Sequence, residues 1–526
     1  MNRIKLDYLQ FLKASIFVFL SVVLIIIQIF GMHSTSITFD DGYNASVSKN
    51  LSMGLGYVTS YNNYVYFNPE ITTGPTILMP VSILISIFGN KNWVPGLGAS
   101  IFINIGLILI FYFLYKTKFT NKTGFFLLFI TTLFLFLANI YFYTLIGELP
   151  AVLFAIASII IFSKFTKKSL FVAGIIFSLA LLTKLIVAIC ILGFISIIIV
   201  NFFQNRAKRN ALELIKTIVF FILGLLIVFL PWFIYTKLSV KPIIASNVTS
   251  TTAPNQFFEV MGSGIEPFKK AEDKLQYLIN NTKNNSKILI FDDYGGKPFQ
   301  VIIFVFITTL LMVFPIRNIL ITKKASNTDY VLIALNISFI AHLIWWLSFT
   351  NFGWYRHLLP SLIYWGASFS LFVIRSPLIL KQTLLLLFLI FISNTNLTNS
   401  NLLTTLTPVW EKSARLTSLE STARKILEIK STDKQAIFAG CLFSNSNRDL
   451  EYILPTPLNF YDCVLINSDE YTNKKVYLVT SVDWSNWDNY PGFKDFKQSC
   501  ENEENIKYRD NFFTISICKK APEIIK

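Results

Sequence analysis

Runs such as SIFVFLSVVLIIIQIF (15–30) and IFINIGLILIFYFLY (101–115) recur along most of this chain. Each approaches the ~20 apolar residues that a helix needs to cross a hydrocarbon layer. No water reaches the backbone inside such a layer, so each run must satisfy its own N–H and C=O groups, and helix is the form that does so. A water-soluble core is not an alternative. Of 526 residues 51 are Phe, 53% are hydrophobic and only 14% are charged, against about a quarter charged in soluble domains. Apolar segments fall at about 11–31, 94–115, 124–143, 148–163, 169–183, 185–203, 217–235, 298–316, 330–350, 358–374 and 382–393. The expected fold is a polytopic α-helical membrane protein with about eleven transmembrane helices. The basic start MNRIK leads into a long apolar run with no small-residue cleavage site after it, which reads as an uncleaved signal anchor.

Charge placement orients these segments. The formal charge of +16 comes from short clusters between apolar runs rather than from one basic stripe, which points to membrane loops and away from nucleic acid. The segment 76–88 is apolar but short and follows Gly74–Pro75, so it is expected to lie along the membrane or partly in it. With that choice and a cytoplasmic N-terminus, KTKFTNK (116–122), KFTKK (164–168), RAKRNALELIK (206–216), RNILITKK (317–324) and RSPLILK (375–381) all face the cytoplasm. Making 76–88 a span would put these clusters outside, against the positive-inside rule. The resulting organisation is a transmembrane module, 1–393, with a first outer loop at 32–93, juxtamembrane helices within it, and a second large outer loop at 236–297. A polar region, 394–526, reads as a small extracytoplasmic α/β domain. It holds Cys441, Cys463, Cys500 and Cys518, while Cys190 lies in an apolar segment. Four cysteines outside the membrane predict two disulfides; Cys441–Cys463 with Cys500–Cys518 is one of three pairings.

Charged side chains at membrane helices are costly unless paired, wet or useful. Asp40 and Asp41 follow the first span, in FDDGYNASVSKNLSMGLGY, and precede a stretch expected to form an amphipathic surface helix ended by the glycines at 54 and 56. Two carboxylates there either cap the helix or serve as a general base toward an acceptor hydroxyl. Glu148 stands before Pro150 at the outer mouth of a helix. Lys184 separates two apolar runs, and Tyr355, Arg356 and His357 precede Pro360. The topology puts all of them on one membrane face, where each alone reads as snorkelling or as a dipole partner. Together they suit an anionic substrate, because Lys and Arg are natural phosphate partners. A second pair, Asp292–Asp293, sits in DDYGG and reads as a turn. The sequence contains no Gly-rich phosphate loop, no HExxH and no nucleotide-binding domain.

In their order these features resemble the GT-C class of membrane glycosyltransferases, with the protein O-mannosyltransferases and lipid A aminoarabinose transferases as the nearest families. The likeness covers roughly residues 1–380. An Asp-Asp motif opens the first outer loop, NPEITTGPTILMPVSILISIFG supplies the Pro-containing apolar segment, and Glu148, Thr183–Lys184 and Tyr355–Arg356 with Pro360 follow in turn. Aminoarabinose transferases tend to carry Lys-Pro-Pro where this chain has Thr73–Gly74–Pro75. The resemblance implies an inverting sugar transfer from a polyprenyl-phosphate donor to a hydroxyl on an envelope glycan, lipid or protein. Asp40 or Asp41 would be the base, while Lys184, Arg356, His357 and Tyr355 would hold the donor phosphate and Glu148 would be an additional acid. In parts of this class a divalent metal ion bridges such acids, here Asp40 and Glu148. A transporter or flippase of a lipid-linked sugar is the main alternative, but the sequence shows no internal repeat. A non-catalytic assembly protein is a third.

Overall fold

The computed structural model describes residues 2–34, 39–58, 73–117, 119, 121–136, 139–204, 211–239, 273–290, 298–322, 325–350, 355–393, 408–440, 450–454, 460–462, 475–481, 500 and 503–518. A helix lies within each apolar segment predicted above. Helix α1 (Asn2–Ser34) is followed by two short helices, α2 (Phe39–Ser52) and α3 (Pro75–Phe88). The bundle continues through α4 (Val94–Lys116), α5 (Lys122–Phe136), α6 (Glu148–Phe162) and α7 (Lys167–Leu181). A 3-10 turn, Leu185–Cys190, leads into α8 (Ile191–Gln204), and α9 (Ala211–Ser239) follows. Helix α10 (Lys274–Ile290) precedes the last four helices of the bundle. The remaining bundle helices are α11 (Pro298–Thr322), α12 (Asn327–Phe349), α13 (Tyr355–Arg375) and α14 (Leu378–Ser393). Among the described residues, six helical stretches are both long and apolar enough to cross a membrane.

The bundle is organised around α6. All fifteen of its residues are buried, as expected of a helix that is apolar on every side, and α4, α7 and α13 pack against it. Apolar side chains on outer helices instead face outward, as Phe19, Ile108, Ile227 and Ile302 do, where lipid is the solvent. Helices α7 and α9 touch backbone to backbone. A Cβ on Gly174 would lie 2.1 Å from the Phe221 carbonyl oxygen, and one on Gly224 would lie 2.0 Å from that of Phe171. Small residues permit this approach, and in lipid close packing replaces the hydrophobic effect as the force between helices. At the end of the α12–α13 hairpin away from Arg356, Arg375 Nη1 reaches Asp329 Oδ1 at 2.5 Å, and Asp329 also closes the N-terminal capping box of α12 with Ser326.

Two local expectations change. The segment 124–143 is not one helix, because α5 ends at Phe136 and a 3-10 turn occupies Asn139–Phe142. Helix α2 is not an amphipathic surface helix either, since residues 44–50 are all buried. Its polar side chains find partners in the protein instead of water. Asn50 Nδ2 donates to Val58 O at 2.7 Å, and Lys49 Nζ donates to the carbonyl oxygens of Glu451 and, at 2.9 Å, Leu454. The segment 450–454 is also held by Asn90 Nδ2, which donates to Tyr452 O and Ile453 O, and by Tyr452 OH, which donates to Lys91 O at 2.9 Å.

The C-terminal residues form a mixed five-stranded sheet behind α15 (Pro408–Thr432). In spatial order the strands are β2 (Phe460–Asp462), β1 (Ile437–Gly440), β3 (Val476–Ser481), β5 (Phe513–Cys518) and β4 (Ile506–Arg509). Strand β1 runs parallel to β2 and β3, whereas β5 is antiparallel to β3 and β4. Leu419 and Ile426 of α15 pack on Phe438, Val479 and Ile515. Cys500 and Cys518 form a disulfide. Cys441, Cys463 and the pair Asp292–Asp293 lie outside the described residues, and Cys190 is a buried free thiol.

Candidate active site

The site lies where three chain segments meet at the N-terminal mouth of α6. Gly147 precedes that helix with φ +90, a left-handed conformation that glycine adopts without strain. It turns the chain so that Glu148 becomes the first residue of the central helix, 1% exposed. Lys184 Nζ stands 3.5 Å from Glu148 Oε1, with the lysine side chain 17% exposed. Glu148 Oε2 is buried and accepts no hydrogen bond among the described residues. One carboxylate is thus fully enclosed, and its cationic partner keeps a face toward the outside.

Backbone geometry aims the lysine. Helix α7 stops at Leu181, and Lys184 is extended (φ −157, ψ 119) before the 3-10 turn begins. Extended backbone offers its N–H and C=O sideways, and Lys184 forms an isolated antiparallel bridge with Thr73. Gly74 N–H donates to Thr183 O at 2.9 Å, and a Cβ on Gly74 would lie 2.1 Å from Leu182 O, so this pairing requires glycine. Pro75 then starts α3, where its missing N–H costs nothing.

Thr73 ties the acid-bearing helix into the same point. Its Oγ1 donates to Ile146 O at 2.6 Å and accepts from Asn44 Nδ2 of α2 at 3.0 Å, while Asn44 also donates to Leu145 O at 2.5 Å. Tyr57 OH donates to Thr73 O at 3.0 Å. Asp40 and Asp41 occupy the first turn of α2, one turn before Asn44. Asp41 is 6% exposed; the Asp40 side chain lies outside the described part.

Arg356 and His357 are half-buried in the first turn of α13. The charges of Arg356 and Lys184 both act on His357, which packs 6.1 Å from Trp345, ring centre to ring centre. The Tyr355 side chain also lies outside the described part. The structure therefore pairs Glu148 with Lys184, sets His357 within the field of Lys184 and of its neighbour Arg356, and ties the helix carrying Asp41 to this point through Asn44 and Thr73. The sequence reading missed Asn44, Thr73 and His342. Their signal was polarity inside buried segments, which becomes informative only once burial is known.

Among the described residues no group of three or more His, Cys, Asp or Glu side chains is placed to hold a metal ion. The side chain of Asp40, the other acid of the expected metal pair with Glu148, lies outside the described part.

Solved structures share the fold of this helical bundle. Crystal structures of ArnT from Cupriavidus metallidurans, one bound to undecaprenyl phosphate and one in the apo state, match with TM-scores of 0.56 and 0.57. Each is 12% identical and covers 95% of this chain and 97% of that one. The archaeal oligosaccharyltransferase AglB from Archaeoglobus fulgidus, solved with an inhibitory peptide and a dolichol-phosphate, matches at 0.51 and 13% identity, covering 91% and 70%. At these identities the likeness is one of fold. No protein-family model matches the chain, and a comparison with curated proteins finds no match.

Proposed function

We propose that this chain is a membrane glycosyltransferase that moves a sugar from a polyprenyl-phosphate donor to an acceptor hydroxyl on an envelope glycan, lipid or protein. The observation that carries the reading is the Glu148–Lys184 pair, set at the mouth of the central helix and bridged through Thr73 to the helix bearing Asp40 and Asp41. In the proposed topology all eleven helical segments span the membrane. The N-terminus is cytoplasmic, and the site and the C-terminal domain, 394–526, are extracytoplasmic.

The chemistry follows from charge. The acceptor oxygen attacks the anomeric carbon from the face opposite the leaving phosphate, and Asp40 or Asp41 takes the hydroxyl proton. The bond from the anomeric carbon to the phosphate oxygen breaks, and its electron pair stays on polyprenyl phosphate. Lys184 and Arg356 stabilise the negative charge that develops there, with His357 and Tyr355 flanking it. Solved structures of the same fold contain undecaprenyl phosphate or a dolichol-phosphate, which supports a lipid-linked donor.

Mass spectrometry of envelope glycans, lipids and proteins from cells with and without the gene tests the reading. One missing sugar residue is expected, and Asp40→Asn or Asp41→Asn should reproduce its loss while the protein still inserts. Unchanged transfer in both variants would remove the acids from the mechanism. An intact glycan profile with misplaced lipid carrier would favour a flippase.

A further inference from the structure

His342 interrupts the apolar run FIAHLIWW of α12 and is completely buried. A buried imidazole in a membrane bundle is costly unless its N–H is hydrogen-bonded. Nδ1 lies 2.9 Å from the Ser338 carbonyl oxygen on its own helix, and Nε2 lies 3.1 Å from Ile186 O. A neutral ring carries one N–H, and the tautomer protonated at Nε2 donates it to Ile186 O. Ile186 belongs to the 3-10 turn that begins directly after Lys184.

The contact is one step of a register. Ala334, Ser338 and His342 are spaced by four and share one face of α12. They meet the facing chain in reverse order. A Cβ on Gly193 would lie 2.7 Å from Ala334 O, Ser338 Oγ donates to Cys190 Sγ at 3.4 Å, and His342 holds Ile186. Helix α12 is therefore a rail along which the Ile186–Gly193 stretch is laid, and His342 grips its last residue before the chain turns extended at Lys184. A 3-10 turn has poorer internal hydrogen bonds than an α-helix, so a hydrogen bond from outside on Ile186 O gives its first residues a second hold. The lysine's bridge to Thr73 and its 3.5 Å approach to Glu148 depend on where that turn begins.

We infer that His342 is a positioning residue for Lys184: through Ile186 O it fixes the backbone that carries the donor-phosphate cation, although it touches no substrate itself. The inference rests on the phosphate role proposed for Lys184.

The test measures binding of undecaprenyl phosphate to the detergent-solubilised full chain, alongside thermal unfolding. His342→Gln keeps a donor near the Nε2 position, while His342→Asn and His342→Leu do not. Leu and Asn are expected to weaken binding about tenfold, the scale of one lost buried hydrogen bond with the shift it permits, and Gln should stay near wild type. Asn336→Ala, on the same helix but bonded to Leu311 O of α11, should lower thermal stability and leave affinity unchanged. Should the Leu variant fail to fold, the comparison of Asn with Gln still decides. Equal affinity in those two, or affinity losses that track unfolding temperature across all variants including Asn336→Ala, would overturn the inference. Wild-type protein that does not bind undecaprenyl phosphate would instead overturn the function on which it rests.

Discussion

Thr73 and Lys184 pair backbone to backbone in an isolated antiparallel bridge, although a hundred residues of membrane bundle separate them in the chain. The bridge sets the backbone of Lys184 against the residue that leads into α3. The threonine hydroxyl is then spent on structure, joining Asn44 of α2 to Ile146 at the mouth of α6.

The Glu148–Lys184 pair predicts unequal costs for its two members. Lys184→Met leaves a carboxylate that is 1% exposed without its cation, a defect of about 3–5 kcal/mol. Glu148→Gln leaves a lysine that can turn toward water, at about 1 kcal/mol. Thermal unfolding in detergent should show the larger drop for Lys184→Met. Equal drops would mean that water already reaches Glu148.

Lys49 predicts a pH dependence with a definite sign. Burial lowers its ammonium from 10.5 to about 8, and the Glu451 carboxylate opposes that shift. Between about 8 and 10.5 the unfolded chain binds more protons at this residue than the folded one, so stability rises with pH through that window. The penalty of the buried charge is fully present below it. Relative to Lys49→Met, wild type should gain stability as pH climbs from 8 to 10, read by chemical denaturation at matched ionic strength. A gain on lowering the pH would show that the ammonium is favoured where it sits.

The α7–α9 crossing predicts that Gly174→Ala and Gly224→Ala are disruptive. Each added methyl group meets a backbone carbonyl at close to 2 Å, and backbone cannot step aside as a flexible side chain can. Overpacking of this kind costs about 1–3 kcal/mol or more. Size-exclusion profiles and unfolding temperatures should fall for both, whereas alanine at Gly54, which has open space but φ +75, should cost only local strain.

Asn285 of α10 predicts local loosening. Its Nδ2 lies within hydrogen-bond reach of the carbonyls of Trp346, Leu347 and Thr350, which end α12 just before Arg356 and His357. Helix ends leave such carbonyls unsatisfied. Asn285→Ala should cost about 1–3 kcal/mol and raise amide exchange at 346–350 more than at 330–340.

The helical segments and the order of the chemical residues along the chain were legible from hydropathy and charge alone. Hydropathy and loop charge are properties of each segment against its solvent, and they need no knowledge of which segment is its neighbour. That is why the unequal lengths of α3 and α4 were readable before any packing was known. The burial of α2 was not, because its Asn44, Lys49 and Asn50 are polar in any context and become core only where carbonyls from residues 58, 145 and 451–454 converge on them. Only the tertiary structure decided that Glu148 pairs with Lys184, that Thr73 bridges them to the acid-bearing helix and that His342 reaches Ile186. Each of these contacts depends on where a helix stops to within one residue. Hydropathy is averaged over many residues and cannot carry that information, while hydrogen-bond distance depends on it directly.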